Sequence, residues 1–300
     1  MTSIVRWTCP LCRAALVDAW RCPACGRVFA AESGSQPDFR IAQPLVIEHT
    51  YRYDPAFGRF PWDRVSLAWP NAAAGVAMDA AWDATERQML SALPAAKPGQ
   101  IALDVGCGEV HQRFRAGLTR LGYLPVGVDI AGSAPDALAD AHRLPFADAS
   151  LDVIMTSAVF EHLKHPHLAM SEMARVLRPG GRILGSIAFG EPFHISYFHH
   201  SPLAVFEILD SSDLDATVFV LSDRYSAFYA HLEMGFAGQR IPKSIHGIIA
   251  RAVREVAVFP ARVKSIVQRS PQHLRLARSA FARSHTASVG FIAHRRSDAA

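Results

Sequence analysis

Long hydrophobic runs are missing from this 300-residue chain. No stretch reaches the about 18 consecutive apolar residues that a helix needs to cross a bilayer. The N-terminus also lacks the succession of basic, apolar and small residues that marks a secretory signal. Charged residues make up only 19% of the chain and hydrophobic residues 50%, so the composition excludes a disordered protein. These features predict a globular, cytoplasmic protein.

Cysteine is scarce, and its placement is informative. Four of the five cysteines form two Cys-Pro-X-Cys pairs, Cys9 with Cys12 and Cys22 with Cys25. Two such pairs complete a tetrahedral site of four sulfur atoms, which predicts a zinc ribbon. Disulfides are the alternative, and a cytoplasmic setting disfavours them. Four thiolates leave no open position on the metal, so the zinc is predicted to be structural; recognition of RNA or a protein is the other role for such a module.

The chain divides into residues 1–43, the ribbon with its linker, and residues 44–300, a larger domain. From Lys97 onward, apolar runs typical of strands alternate with segments typical of helices. The strands are predicted at Ile101–Val105, Val126–Ile130, about 137–141, Leu151–Met155, Arg182–Phe189, Ala216–Leu221 and Ala287–Ala293. This alternation predicts an α/β fold with a mostly parallel sheet and a ligand at the carboxyl ends of its strands.

A glycine turn follows the first of these strands. Gly106 and Gly108 come directly after Leu103-Asp104-Val105, where backbone can approach a ligand without a Cβ in the way. A second acid, Asp129, ends the next strand, at the spacing typical of a carboxylate that binds ribose hydroxyls. The third glycine of the dinucleotide motif is absent, because His111 stands there. The sequence therefore predicts a nucleoside-containing ligand other than NAD.

Five motifs in order give the chain a family resemblance. They are Leu-Asp-Val-Gly-Cys-Gly at 103–108, the acid Asp129, Asp-Ala-His-Arg-Leu-Pro-Phe at 140–146, Phe-Glu-His-Leu at 160–163 and Arg-Val-Leu-Arg-Pro-Gly-Gly at 175–181. Over residues 98–190 the chain resembles the class I S-adenosylmethionine-dependent methyltransferases. The resemblance implies their Rossmann-like sheet, in which the last strand is antiparallel.

The resemblance also implies a set of cofactor-binding residues. The glycines would pass beneath the methionine and ribose parts of S-adenosylmethionine, and Asp129 would accept hydrogen bonds from the ribose. Asp140 and the amide of Ala141 would face the adenine, while Asp104 would lie near the cofactor ammonium. The implied cofactor site is Asp104, Gly106, Gly108, Asp129, Asp140 and Ala141.

Methyl transfer to a hydroxyl or a protonated amine needs a base above the strand ends. Two histidine clusters qualify: His162, His165 and His167 after the fourth strand, and His194, His199 and His200 after the fifth. We take His199 and His200 as candidate catalytic bases, because their segment is aromatic and polar, and rank His162 below them, because its neighbourhood belongs to the common scaffold of the fold. The alternatives are packed or capping histidines, and a mechanism that relies on proximity alone. The His-Glu-X-X-His spacing of a zinc enzyme is absent.

The C-terminal part of the chain is strongly basic. Residues 240–300 carry twelve lysines and arginines and two acids, whereas the rest of the chain is net acidic. A helical basic insertion is predicted at about 224–285, with apolar positions at helical spacing from Ile245 to Val256. This insertion would lie on an anionic membrane as a peripheral contact, bind RNA, or pack on its own domain.

Three functions fit these patterns. The first is S-adenosylmethionine-dependent methylation of an O, N or C atom in a small-molecule, glycan or lipid-precursor acceptor. The second is RNA methylation, because some bacterial ribosomal RNA methyltransferases similarly join an N-terminal zinc module to this fold. Against it, Thr156-Ser157-Ala158-Val159 stands where a tetrapeptide that grips a flipped base would lie. The third is a non-catalytic binding module.

Overall fold

The computed structural model describes residues 4–30, 36–46, 60–66, 68–73, 84–108, 112–190, 195–221 and 243–296. Seven α-helices and three short 3-10 helices (Asp18–Trp20, Trp62–Arg64 and Phe160–His162) are described within these ranges, together with one large sheet. The helices are α1 (Ala84–Ser91), α2 (Gln112–Arg120), α3 (Pro166–Val176), α4 (Pro202–Asp210), α5 (Lys243–Ala257), α6 (Phe259–Val267) and α7 (Gln272–Ser284).

The sheet has eight strands in the order β1-β7-β8-β6-β5-β2-β3-β4. The strands are β1 (Val65–Ser66), β2 (Ile101–Val105), β3 (Leu124–Asp129), β4 (Ala137–Leu138), β5 (Leu151–Ser157), β6 (Leu177–Ala188), β7 (Leu214–Val220) and β8 (Ser288–Arg295). All neighbouring strands are parallel except β8, which runs antiparallel between β6 and β7. The predicted α/β, Rossmann-like sheet with an antiparallel last strand is therefore confirmed.

Helices cover both faces of the sheet, and β2 shows why. All five of its residues are buried, as expected for a central parallel strand. Alternate side chains of β2 enter two separate clusters. Ile101 and Leu103 pack with the core that includes α3 and α4, while Ala102 packs with apolar residues of α1 and α2. This burial fixes the end of β2, and with it the glycine turn, at the centre of the molecule.

Residues 4–30 and 36–46, which we call the N-terminal segment, pack against the edge of the sheet beyond β4. Trp7 stacks on Phe39 with ring centroids 5.3 Å apart and lies 4.7 Å from the ring of Phe146. Asp38 forms a parallel bridge with Leu138 of β4. The aromatic residues of the two parts share one core. The segment therefore packs on the sheet edge and shares its core. The domain boundary predicted at residue 43 stays a prediction.

The basic C-terminal region contributes α5, α6 and α7, while residues 224–242 of the predicted insertion lie outside the described residues. None of the helices in the described part of the chain has the length and hydropathy that crossing a bilayer requires.

Candidate functional site

The turn after β2 depends on its glycines. Gly106 has a φ of 70°, in the left-handed region that disfavours side chains. A Cβ on Gly106 would lie 2.3 Å from Cγ2 of Val159, so no larger residue fits. The amide of Gly106 donates to the carbonyl of Val128 at 2.9 Å, which ties the turn to β3. This hydrogen bond thus fixes the position of the glycine turn close to the end of the sheet.

The carboxylate of Asp129 lies at the end of β3 beside this turn. The amide of Gly108 donates to its Oδ2 at 2.7 Å, and the amide of Ala131 donates to its Oδ1 at 3.2 Å. Two backbone donors therefore fix the orientation of a partly exposed carboxylate. A carboxylate has about four acceptor positions, so Asp129 keeps the capacity to accept hydrogen bonds from a ligand.

A cleft of about 230 Å³ opens between the glycine turn and the ends of β3 and β5. It lies where strand order reverses, since β3 is on one side of β2 and β5 on the other. The predicted residues Gly106, Asp129 and Ala141 line it. The remaining lining residues are Val105, Val128, Ile130, Ala139, Ala158, Val159, His162 and Leu163.

The other predicted cofactor residues lie around the cleft rather than in its wall. Gly108 is bonded to Asp129, and Asp140 precedes the lining residue Ala141. Asp104 is only 2% exposed, within β2 and below the turn. The structure thus brings these predicted residues to one end of the sheet, and their roles toward a cofactor stay predictions.

Asp140 has a defined partner, His142. The amide of His142 donates to Oδ1 of Asp140 at 3.0 Å, and Nδ1 of the ring lies 2.6 Å from the same oxygen. Nε2 of His142 accepts from the amide of His165 at 3.2 Å, so Nδ1 carries the proton and donates to Asp140. Burial acts to raise the pKa of Asp140, but these hydrogen bonds outweigh it and the pKa lies below its usual value.

Sequence reasoning ranked His162 as the weaker candidate base and did not predict that the end of β5 and the short helix Phe160–His162 form a wall of the cleft. Ala158 has a φ of 54°, a conformation that costs a non-glycine residue roughly 1–2 kcal/mol. Its amide donates to the carbonyl of Ser186 at 2.9 Å. The signal was present in the Phe-Glu-His-Leu motif, which the family resemblance included but did not place in the site.

The histidines near the strand ends occupy different surroundings. His162 lines the cleft, and its Nδ1 contacts the carbonyl oxygen of Ile195. His199 is exposed. His200 is buried, its Nε2 lies 3.3 Å from the carbonyl oxygen of Phe160, and burial holds the pKa of His200 below its usual value. The described wall of the cleft includes neither His199 nor His200, so their catalytic role stays a prediction.

The N-terminal segment holds the loop that follows Asp129. Nη1 of Arg40 donates to the carbonyl of Ile130 at 2.9 Å, and Nε2 of Gln36 donates to the carbonyl of Gly132 at 3.1 Å. Ile130 is itself a residue of the cleft wall. Two side chains of the segment therefore bind backbone carbonyls that follow Asp129 in the chain.

The same segment holds the chain on both sides of Asp140. The amide of Phe39 donates to the carbonyl of Leu138 at 2.7 Å, and the amide of Thr8 donates to the carbonyl of Pro145 at 2.9 Å. The loops that carry Asp129 and Asp140 are thus both hydrogen-bonded to the N-terminal segment.

The four N-terminal cysteines form one cluster. Their Sγ atoms all lie within 4.8 Å of one another. The Sγ atoms of Cys9 and Cys25 are 3.8 Å apart, and those of Cys12 and Cys22 are 3.4 Å apart. A tetrahedral zinc with bonds of about 2.3 Å separates its sulfur ligands by about 3.8 Å, whereas a disulfide bond measures about 2.05 Å. The donor set and spacing therefore fit zinc and do not fit disulfides.

A larger cavity of about 800 Å³ lies between the N-terminal segment and the domain, lined by residues such as Trp7, Trp20 and Phe146. Neither the glycine turn nor the acids Asp129 and Asp140 line it. The smaller cleft is therefore the candidate site, because it combines the turn, the oriented carboxylate and the switch point of the sheet.

Comparison with known proteins agrees with this geometry. Residues 103–185, which run from β2 into β6, match a family described as a methyltransferase domain. The chain contains a class I S-adenosylmethionine-dependent methyltransferase domain. The predicted family resemblance is thereby confirmed for the part of the chain that forms the cleft.

Relatives of the methyltransferase domain include a demethylmenaquinone methyltransferase of Mycobacterium bovis, 38% identical over 96 residues that cover 29% of this chain and 40% of the relative. The ubiquinone/menaquinone biosynthesis C-methyltransferase UbiE of Laribacter hongkongensis is 31% identical over 104 residues, covering 29% and 43%. An uncharacterized 37.1 kDa protein in transposon TN4556 of Streptomyces fradiae is 35% identical over 127 residues, covering 35% and 33%. The chain thus spans about a third to two fifths of the length of these relatives.

The chain also matches solved structures with which it shares little sequence. The methyltransferase of Haloferax volcanii in complex with the Trm112 activator gives a TM-score of 0.47 at 17% identity, covering 71% of this chain and 89% of that one. Phosphoethanolamine N-methyltransferase 2 of Haemonchus contortus gives 0.44 at 16% identity, covering 71% and 52%.

Proposed function

We propose that the chain transfers a methyl group from S-adenosylmethionine to an apolar small-molecule acceptor of the lipid-precursor class. The observation that carries the proposal is the oriented carboxylate of Asp129 beside the glycine turn, at the switch point of the sheet. This arrangement suits the ribose of a nucleoside cofactor, and the match to a methyltransferase domain supports S-adenosylmethionine as that cofactor.

The residues around the cleft suit the parts of S-adenosylmethionine. Asp129 would accept hydrogen bonds from the ribose hydroxyls, and Asp140 with the amide of Ala141 would bind the adenine edge. Asp104 places a carboxylate beneath the turn, where it favours a cationic ligand and repels a pyrophosphate. When bound, S-adenosylmethionine supplies a methyl group on a positively charged sulfur. The protein's part is to hold the acceptor atom in line with that group.

An apolar acceptor fits the surface beside the cleft. Ile195, Tyr197 and Phe198 are all exposed. The amide of Tyr197 donates to the carbonyl of Glu161 at 2.7 Å, which ties this segment to the short helix of the cleft wall. Exposed apolar side chains next to a site favour an apolar ligand over a sugar or a nucleic acid. The relatives whose names specify quinone methylation support the same acceptor class.

A proton that the acceptor loses on methylation needs a base within reach of the cleft. Among the described residues that line the cleft, His162 is the one histidine. Its Nδ1 contacts a carbonyl oxygen, which is an acceptor, so in the tautomer that suits this contact Nε2 is the nitrogen that accepts a proton. We therefore give the role of candidate base to His162, ahead of His199 and His200.

The N-terminal cysteines would hold a structural zinc in this proposal. Cys9, Cys12, Cys22 and Cys25 together provide four sulfur ligands and no open position. Such a metal would fix the fold of a segment too small to build a core alone. Its expected content is one zinc per chain.

Label transfer tests the proposal. The protein is incubated with cell extract and S-adenosylmethionine that carries a tritium-labelled methyl group, and the extract is then separated into organic-soluble, water-soluble small-molecule and RNA fractions. We expect label in the organic-soluble fraction with wild type and much less label, at the same cofactor concentration, with Asp129→Ala. Label in RNA would contradict the acceptor class. Cofactor binding without label in any fraction would contradict catalysis and support the binding module.

A further inference from the structure

The helices α5 and α6 carry large apolar side chains on their exposed surface. Eight of them are between 37% and 75% exposed: Ile245, Ile248, Ile249, Val256, Phe259, Val263, Ile266 and Val267. Scattered single apolar residues are common on protein surfaces, but eight within 23 residues of chain form a patch that indicates a binding surface. We call these eight residues the apolar stripe.

The apolar stripe follows the helical repeat. In α5, Ile245, Ile248 and Ile249 lie on one face, and the spacing of three or four residues continues through Val256. Other positions of α5 face the protein, because Ala250 and His246 are each only 4% exposed. The helix thus packs on the domain with one side and presents its larger aliphatic residues on another.

The second helix repeats the arrangement. Phe259, Val263, Ile266 and Val267 of α6 have the spacing i, i+4, i+7, i+8, which places them on one face. None of the residues of α6 is buried. This face is therefore exposed along the whole helix, and nothing in the described part of the chain covers it.

Basic side chains accompany the stripe. Between Lys243 and Ser284 the chain has nine lysines and arginines and one acid, Glu255. Glu255 pairs with arginines of all three helices, Arg254, Arg262 and Arg278, so its charge is neutralised inside the cluster. Exposed cations such as Arg251, Lys264 and Arg269 remain at the surface.

We propose that the apolar stripe and its basic residues form a surface that binds an anionic lipid membrane. Apolar side chains that enter the lipid, flanked by lysines and arginines that meet the head groups, are the pattern of an interfacial helix. A second copy of this chain is disfavoured, because pairing would bring two strongly basic segments together. RNA would not use the exposed aliphatic residues, since protein–nucleic acid interfaces are polar and basic.

The proposal goes beyond methyl transfer and does not depend on which acceptor is methylated. Through this surface the protein would lie at a membrane. An apolar acceptor would be encountered there, but the binding itself depends only on α5 and α6.

Vesicle co-sedimentation tests the surface. Full-length protein is mixed with phosphatidylcholine vesicles with and without phosphatidylserine, at about 0.05 M and about 0.5 M salt. We expect binding to the anionic vesicles that is weaker at high salt, and at least tenfold weaker binding to the neutral ones. Binding that ignores both lipid charge and salt would overturn the proposal.

Three variants separate the contributions. The change of Phe259, Ile266 and Val267 to serine should abolish sedimentation. The change of Arg251, Lys264 and Arg269 to glutamine should weaken binding to anionic vesicles about a hundredfold. A control with Val28→Ser and Arg21→Gln, at exposed positions of the N-terminal segment, should bind as wild type does. Equal sedimentation of the control and both helix variants would overturn the proposal.

Folding and the competing partners are checked with the same proteins. Unchanged circular dichroism and unchanged affinity for S-adenosylmethionine would show that the helix variants are folded. If analytical ultracentrifugation gave a wild-type dimer that the serine variant lost, the stripe would be a self-association surface instead. If the protein bound RNA and not the vesicles, the basic residues would have another partner. Either result would contradict the membrane assignment.

Discussion

Three histidines near the strand ends differ in their surroundings, although the sequence places all of them on loops. His162 faces the cleft, His199 is exposed, and His200 is buried against the carbonyl of Phe160. Sequence reasoning favoured His199 and His200 because their segment is aromatic and polar. Which imidazole turns toward the cleft depends on the path of the segment over the helix Phe160–His162, and a single sequence does not contain that path.

The first prediction concerns His162. We expect His162→Gln to lower the rate of methyl transfer about 100-fold with little change in cofactor affinity, because the variant lacks a group that accepts the acceptor's proton. Single-turnover kinetics and isothermal titration with S-adenosylmethionine measure the two effects. His199→Gln is the matched control and should retain wild-type rates. A large loss of rate in His199→Gln with none in His162→Gln would reverse the assignment.

The second prediction concerns the pH dependence of stability. Burial lowers the pKa of His200 in the folded state, whereas in the unfolded chain the ring takes up a proton near about pH 6.5. The stability that neutral His200 contributes is therefore present above about pH 6.5 and is lost as the pH falls toward the folded-state pKa. Urea unfolding at about pH 7.5 and about pH 5.5 should show a smaller loss of free energy in His200→Gln than in wild type. An equal loss in both would contradict the buried, neutral ring; His199→Gln should behave as wild type.

At the scale of elements, the strands and the glycine turn were predictable because they depend on local patterns. The apolar run Ile101–Leu103 and the glycines after it define β2 and its end, and the structure has β2 at Ile101–Val105. The start of β6 was predicted at Arg182, but the strand begins at Leu177, where it pairs with Leu151 across a register irregularity. Such a boundary depends on the neighbouring strand and not on the local sequence.

The placement of the N-terminal segment against the cofactor loops was not predictable. Its contacts with residues 130–147 join positions about a hundred residues apart, and most use backbone atoms that every residue type provides. The cysteine pattern predicted a metal site without indicating what the folded segment touches.

The third prediction follows from these contacts. We expect zinc removal by a chelator to lower affinity for S-adenosylmethionine about tenfold or more, since the loops after Asp129 and around Asp140 lose hydrogen-bond partners. Titration of the cofactor into metal-loaded and metal-depleted protein measures the effect. In metal-loaded protein, Arg40→Ala should weaken binding because it removes the contact with Ile130. Arg21→Ala, at an exposed position of the same segment, should not. Equal cofactor affinity with and without metal would contradict this coupling.

At the scale of the whole molecule, the mostly parallel sheet, its antiparallel last strand and a ligand site at the strand ends were predictable from the sequence, whereas the strand order and β1 were not predicted. β2 and β5 are mostly buried and β3 is half buried, and each of these strands ends near a residue of the cleft wall. By contrast, the sequence did not determine whether the apolar face of α5 packs against the domain or faces outward. Helical spacing predicts the stripe from Ile245 to Val256 whether it packs inward or faces outward, and only the fold decides between the two.

The central claim is that the cleft at the end of β2 and β3 binds S-adenosylmethionine through Asp129. Isothermal titration of the cofactor into wild-type protein and Asp129→Ala tests it most directly, with unchanged circular dichroism as the check on folding. The account predicts one site per chain in wild type and a loss of affinity of about tenfold to a hundredfold in the variant, because hydrogen bonds to a charged group contribute about 1.5–3 kcal/mol. Equal binding by the two proteins would contradict the account.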